Sequence, residues 1–378
     1  MPRRHKQKNE QEYYNLQPIL SEGAHYNLII GERSNGKTYS TLLYSIRLYA
    51  KKSFQTALLR RMQEDFVGKR GASLFNPLVD NGEIEKATGG EYDSVYYYAS
   101  RWYLCKYIEN EKGMVERITD KKPFMYGFAI SQMEHEKGNG YPDVKTVIFD
   151  EFITRMGYLR DEFVLFMNTL STIIRSRDDV KIFMLGNTVN KYCPYFDEMG
   201  LRHIKNMKQG DIDVYQLKHS SGKTLKVAVE YCKPFEKGKK SDFYFAFDNQ
   251  KLEMITTGIW EIDIYPHCPY KYKPKNILFT YFIEFDNNLL QCEVVQVDDV
   301  CFTFIHRKTT PLKNPDEELI YSTKYDARQN WRRKITNPHL DIERKITEFY
   351  ATDKIFYQDN EVGEIVRNYL IWCGRKIV

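Results

Sequence analysis

Gly31-Glu-Arg-Ser-Asn-Gly36-Lys37-Thr38 joins a short apolar run, Asn27–Gly31 (NLIIG), to a stretch, Lys37–Ala50, in which Leu42, Leu43, Ile46 and Tyr49 share one helical face. The octet fits G-x-x-x-x-G-K-[ST], and a strand before it with a helix after it is the context that gives this pattern meaning. Glycines let the backbone curl until its N–H groups point inward at phosphate oxygens. The helix start adds the positive end of its dipole beneath the same phosphates. The expected ligand is ATP, bound by Gly31, Glu32, Arg33, Ser34, Asn35, Gly36, Lys37 and Thr38. Lys37 would reach the β- and γ-phosphates and the Thr38 hydroxyl would ligate Mg²⁺. A plain glycine turn capping a helix is the competing reading, which the flanking strand and helix disfavour.

A second apolar run, Val144–Phe149 (VKTVIF), ends in Asp150-Glu151, 113 residues after Lys37. In proteins with such a loop, a carboxylate at a strand end holds Mg²⁺. A neighbouring Glu aimed at the γ-phosphate can orient and polarise the attacking water. Asp150 is expected in the first role and Glu151 in the second; alone, the pair would also suit a strand running into an acidic helix cap. Paired acids favour hydrolysis over phosphoryl transfer to an acceptor, and a further buried strand, Thr56–Arg61, between loop and acids in the chain agrees. Asn187 follows the run Val180–Leu185 and reads either as a sensor of the γ-phosphate or as a turn residue after Gly186. Arg175 and Arg177 close a helix that starts at Asp161-Glu162. Bases at a helix end complement its dipole; the sharper alternative is an arginine finger inserted into a neighbouring subunit's ATP site.

The 378-residue chain is long enough for two or three domains. Its 56 Lys and Arg against 51 Asp and Glu leave +5, so polyanion binding by bulk charge alone is excluded and any basic surface must come from segregated charge. A hydrophobic content of 42% argues for a real core. No apolar run approaches the length of a membrane span, and no apolar stretch follows the basic N-terminus as in a signal peptide. Seven scattered Cys with no CxxC pair argue against a disulfide frame or a zinc cluster and suit a reducing cytosol.

Strand, helix, strand, helix, strand through about residue 205 is the grammar of a mainly parallel sheet covered by helices. Beyond it the pattern turns to short strands broken by a basic loop with Lys233, Lys237, Lys239 and Lys240. Alternating runs at 277–285, 290–297 and 300–306 follow, and helical stretches near 341–350 and 359–371 close the chain. The expectation is an α/β P-loop ATPase domain of the ASCE type (1–208), a linker or connecting subdomain (209–262) and a C-terminal α+β domain (263–378).

Several stretches together resemble the DNA encapsidation (genome-packaging) ATPases of small podoviruses that infect Gram-positive bacteria. They are LIIGERSNGKTY, LLRR at 58–61, EKGNGYPDVKTVIFDEF at 136–152, RSR at 175–177 and GNTVNKYCPYF at 186–196. The resemblance implies a ring motor of five identical subunits, docked on the portal of a procapsid in the host cytoplasm, that pumps double-stranded DNA inward. A packaging RNA is a further implied partner. By position, Lys37 and Thr38 bind phosphate and Mg²⁺, Asp150 binds Mg²⁺, Glu151 activates water and Arg175 acts in trans. Lys137 matches a basic residue near the subunit interface. Gln63 departs from a related protein's Lys after the RR pair. The C-terminal domain is similar to an RNase H-like nuclease fold that has lost its metal-binding carboxylates.

Glu284, Asp286, Asp298 and Asp299 are the acids this chain offers among those strands. A working two-metal nuclease needs several converging carboxylates, whereas a hairpin turn explains Asp298-Asp299. DNA of any sequence must be gripped through phosphates, and Lys69-Arg70, Lys121-Lys122, the 233–240 lysines and Arg332-Arg333-Lys334 are the clusters available. The leading reading is a DNA-translocating ATPase; the alternatives are a terminase-like motor whose nuclease still cuts and a nucleotide-gated assembly protein without turnover.

Overall fold

The computed structural model describes residues 13–136, 140–155, 157–218, 222–233 and 259–374. The chain divides into two compact units, Met1–Trp260 and Glu261–Val378. Among the described residues no helix is long and apolar enough to cross a membrane.

The first unit contains β1 (Tyr26–Gly31), α1 (Lys37–Lys52), β2 (Gln55–Arg60), β3 (Ser94–Tyr98), β4 (Arg101–Glu109), β5 (Val115–Thr119), β6 (Met125–Ala129), β7 (Val144–Asp150), α2 (Glu162–Ile174), β8 (Lys181–Asn187), β9 (Ile212–Lys218) and β10 (Thr224–Tyr231), besides shorter helices. These ten strands form one sheet in the order β3-β4-β6-β2-β7-β8-β1-β10-β9, with β5 paired to β4. The six central strands, β6 to β10 in that order, are parallel; the edges are antiparallel. Every residue of β1 is buried. Leu28 and Ile30 enter the core on one face of the sheet with Phe166, Leu170 and Ile173 of α2. Ile29 enters the core on the other face with Leu42, Leu43 and Ile46 of α1. Burial on both faces is why these strands read as continuous apolar runs rather than alternating ones. Met167 of α2 is 40% exposed.

The strand that carries the loop and the strand that carries the acids are separated in space by β8, while β2 lies beyond β7. The stretch from 209 was expected to link domains, but β9 and β10 complete the first sheet: Tyr26↔Val227 to Ile30↔Tyr231 pair in parallel register. Val227, Ala228 and Val229 are fully buried there, a burial that a connecting segment cannot supply. The strand-like run at 242–247 and Lys237, Lys239 and Lys240 lie outside the described residues.

The second unit holds β11 (Ile277–Phe285), β12 (Asn288–Val297), β13 (Val300–Arg307), β14 (Ile320–Ser322), β15 (Trp331–Arg332), α3 (Asp341–Ala351), β16 (Ile355–Tyr357) and α4 (Asn360–Gly374). β11, β12 and β13 form an antiparallel meander; β14 adds in parallel to β11, β15 to β14 and β16 to β13. The meander is thus extended by parallel strands on both sides. Val362, Ile365, Val366 and Tyr369 of α4 are buried in this unit.

Candidate active site

The phosphate loop, Asn187, Asp150-Glu151 and Arg60 lie at the carboxyl ends of parallel strands, where ligands of open α/β sheets bind. β1 ends at Gly31, β8 at Asn187 beside it, β7 at Asp150 and β2 at Arg60. Gly36 caps α1 at φ 91, a left-handed conformation that suits glycine. A Cβ there would also meet Tyr13 at 3.0 Å and the Tyr14 nitrogen at 3.1 Å. A Cβ on Gly31 would meet the Cys232 Cβ at 2.8 Å. Burial pushes the Cys232 thiol up to about 12, so it packs beneath the loop as a neutral group.

Lys37 is buried, and its Nζ donates to the carbonyls of Glu32 (2.6 Å) and Gly31 (3.3 Å), to Asn35 Oδ1 (3.1 Å) and to Asn187 Oδ1 (3.2 Å). Thr38 Oγ1 donates to Asp150 Oδ1 at 3.2 Å. The other oxygen, Oδ2, pairs with Arg60 Nη2 at 2.7 Å. Glu151 is exposed and has φ 60. A cavity of about 310 Å³ is lined by Ser34, Asn35, Gly36, Lys37, Thr38, Asp150, Glu151 and Asn187, together with Tyr13, Tyr39, Pro77, Leu185 and Gly186. Of the expected binding residues, Gly31, Glu32 and Arg33 do not line it: Gly31 and Glu32 act through their carbonyls on Lys37, and Arg33 is exposed at the crown of the loop. Asp150 and Thr38 present two hard oxygens at one point, a donor set that fits Mg²⁺.

The two arginines at the end of α2 have separate fates. Arg177 is spent on its own chain: its guanidinium donates to the carbonyls of Tyr141, Pro142, Val144, Ile173 and Ile174 at 2.6–3.0 Å. It therefore stands at the start of β7, six residues or about 20 Å from Asp150. Arg175 is exposed, at the C-cap of α2 with φ 54. Lys137 lies outside the described residues.

Sequence reasoning missed Arg60, Arg61, Glu162, Tyr13 and Tyr14 as contributors. Two successive arginines ending a buried strand were the available signal, because charges in such places are paired. The Tyr14 N–H donates to the Asn35 carbonyl (3.1 Å), the Ser40 hydroxyl donates to the Tyr14 carbonyl (2.5 Å), and the Tyr14 hydroxyl donates to Glu230, strapping the N-terminal segment across the loop.

In the second unit the acids do not converge. Glu284 is taken up by the Ser322 hydroxyl (2.9 Å) and Lys324 (2.6 Å), and Asp298 stands in the β12–β13 turn at φ 51. Among the described residues no group of three His, Cys, Asp or Glu side chains could hold a metal ion. Arg332 pairs with buried Glu343 at 2.8 Å, and Arg333 and Lys334 lie over the Trp372 ring. Lys122 pairs with Asp143 (3.4 Å) and Arg70 reaches Asp65 (4.0 Å), all four near or at the surface.

Fold and site together define a P-loop ATPase domain of the ASCE type joined to a C-terminal domain. The chain is similar to the podovirus DNA encapsidation proteins: residues 110–215 match the family model described as "Podovirus DNA encapsidation protein (Gp16)". It is 28% identical over 188 residues, 49% of this chain, to the DNA packaging protein of Bacillus phage phi29, and equally to that of Bacillus phage PZA. The match spans about half, 49%, of the length of those curated relatives. The backbone follows a chain of the Phi-28 gp11 DNA packaging motor with a TM-score of 0.52 at 18% identity, covering 97% of this chain and 99% of that one. It follows a chain of the bacteriophage Phi-29 viral genome packaging motor assembly with a TM-score of 0.51 at 20% identity, covering 94% and 96%. Those two likenesses establish a shared fold.

Proposed function

We propose that this chain is the ATP-hydrolysing subunit of a viral DNA-packaging motor, which moves double-stranded DNA into a procapsid as a homomeric ring, five subunits on the portal. The observation that carries the reading is the meeting of Lys37, Thr38, Asp150 and Glu151 in one cavity, 3.2 Å separating the Thr38 hydroxyl from Asp150. The matched half of the phage DNA packaging proteins supports the choice of packaging among the many uses of such a domain.

The loop amides and Lys37 bind the phosphates. Lys37 is already desolvated and held by four oxygens, so little ordering remains to be done when phosphate oxygens replace some of them. Mg²⁺ held by Thr38 and Asp150 would supply charge neutralisation at the β- and γ-phosphates. The Glu151 carboxylate orients a water for in-line attack on the γ-phosphorus and takes its proton. Asn187 stands beside Lys37 and registers whether a γ-phosphate is there. Arg175 of a neighbouring subunit completes the transition-state charge. The C-terminal domain faces the portal and any packaging RNA.

The test is ATP turnover of wild type and Glu151→Gln, with and without matching procapsids and DNA. Glu151→Gln is expected to bind ATP and lose turnover by at least about 10²-fold, the lower range for a general base. Wild type that binds ATP yet never hydrolyses it in any assembly would make the protein a nucleotide-gated assembly factor instead. Mg²⁺-dependent DNA cleavage lost in Glu284→Ala would revive the nuclease reading.

A further inference from the structure

Arg61 follows β2 directly and touches neither the phosphate loop nor Asp150; its contacts are made behind Glu151. Nη1 donates to the Glu151 carbonyl at 2.5 Å and Nη2 to the Phe152 carbonyl at 2.5 Å. Nε donates to Glu162 Oε2 at 2.9 Å, and Nη2 lies 2.9 Å from Oε1. Glu162, the first residue of α2, is 2% exposed, and its carboxylate also accepts the Tyr195 hydroxyl (2.9 Å) and the Leu159 N–H (2.7 Å). The guanidinium lies over the rings of Phe149 and Tyr158, 5.6 and 5.1 Å from their centroids. Glu151 is left-handed at φ 60, a conformation a non-glycine residue holds only where its surroundings impose it.

We infer that Arg61 and Glu162 form a clamp that fixes the backbone of Glu151 and so aims its carboxylate at the site. The inference rests on Glu151 being the base. Arg61 is a positioning residue: it acts through the Glu151 and Phe152 carbonyls. The fork geometry of a guanidinium is needed, because two carbonyls and two carboxylate oxygens must be served at once from one plane; a lysine ammonium is a point donor and cannot span them. The buried Glu162 supplies the countercharge that lets Arg61 stay there. The pair also joins the carboxylate turn to the start of α2, whose far end carries Arg175.

The experiment uses the full chain as Arg61→Lys, Glu162→Gln, Glu151→Gln and the double variant Arg61→Lys/Glu151→Gln. Val227→Ala, a core change on β10, serves as a control for lost stability. Binding of a fluorescent ATP analogue, kcat and KM, and hydrogen exchange are measured for each. For Arg61→Lys the expected result is ATP affinity within about twofold of wild type and kcat down about 10²-fold with KM held, the effect of a misplaced catalytic group. Glu162→Gln falls in the same direction. The double variant should be no slower than Glu151→Gln alone, since an aiming device has nothing left to aim. Amide exchange should quicken over 151–155 and 157–162 and stay slow in β1 and α1. The clamp is overturned if Arg61→Lys keeps wild-type kcat while Glu151→Gln is inactive. It is equally overturned if the two losses multiply, or if Val227→Ala at matched stability reproduces the loss. Glu151→Gln that turns over normally overturns the base reading itself, and the clamp with it.

Discussion

Lys37 is almost completely removed from water, and its Nζ donates to oxygens of Gly31, Glu32, Asn35 and Asn187. The loop thus holds a preformed cationic seat whose ligand is supplied later. Lys37→Met should lower ATP affinity about 10–100-fold, the worth of a charge-assisted hydrogen bond, as read by equilibrium binding of a fluorescent analogue. Unchanged affinity would remove Lys37 from the phosphate site. This residue, with Gly36, Thr38 and the Asp150-Glu151 pair, was legible because each half of the site is contiguous in sequence and carries its own strand-turn signature. Arg60 and Arg61 were not, although they sit in the same space. Their partners, Asp150 and Glu162, are 90 and 101 residues away, and no local pattern encodes a pairing made by strand order. Tyr13 and Tyr14 were hidden for the same reason, since only the folded loop brings them onto Gly36.

At the scale of elements, apolar runs identified the parallel strands because the sheet is buried on both faces. The part that escaped was its edge. β9 has a mixed, half-exposed pattern and β10 pairs with β1 across about two hundred residues, so nothing near residue 209 announces a return to the first sheet. Two elements carry expectations of their own. Arg177 ties the end of α2 to the start of β7 through five carbonyls, so Arg177→Ala should destabilise the first unit by about 2–3 kcal/mol in chemical denaturation, because it strips buried acceptors of their donor. Arg175→Ala, at the same helix end, should leave stability unchanged within about 0.5 kcal/mol, as at an exposed position.

In the second unit, His306 on β13 faces Glu293 on β12, 3.4 Å away, with Tyr272 and Gln291 on the same carboxylate. Glu293 raises the His306 pKa above its ordinary value against the opposing effect of burial, and Lys308 lowers it slightly. A raised folded-state pKa stabilises the fold fully below the unfolded value near 6.5, and the contribution fades as pH climbs through the folded value. Thermal melts of the second unit should therefore weaken as pH rises above about 6.5, and His306→Gln should remove that slope. A slope that survives the substitution would assign it to another group.

At the scale of the molecule, the decisive dimension is the length of α2. Its start is pinned at Glu162 behind Glu151, and Arg175 lies 13 residues on, about 20 Å along the axis. No arginine side chain covers that distance, so Arg175 cannot serve the site of its own chain; if it serves one, it is a neighbour's. Head-to-tail contacts generate rings where the rotation closes, and in the proposed ring each site would take its loop from one subunit and its arginine from the next. The consequence is complementation. Arg175→Ala subunits keep a complete loop and base but offer no arginine; Glu151→Gln subunits offer the arginine but no base. Each alone should be inactive in procapsid-stimulated turnover. Mixed in equal amounts, about a quarter of the interfaces pair an intact base with an intact arginine, so turnover should reappear at up to that share of wild type if interfaces act independently. Sites that must fire in sequence around the ring would return less, and the shortfall would measure their coordination. Silence in turnover, with mixed rings shown to assemble and with single intact interfaces competent in a tethered pair, would take Arg175 out of the chemistry and leave its exposure at the helix end to another use.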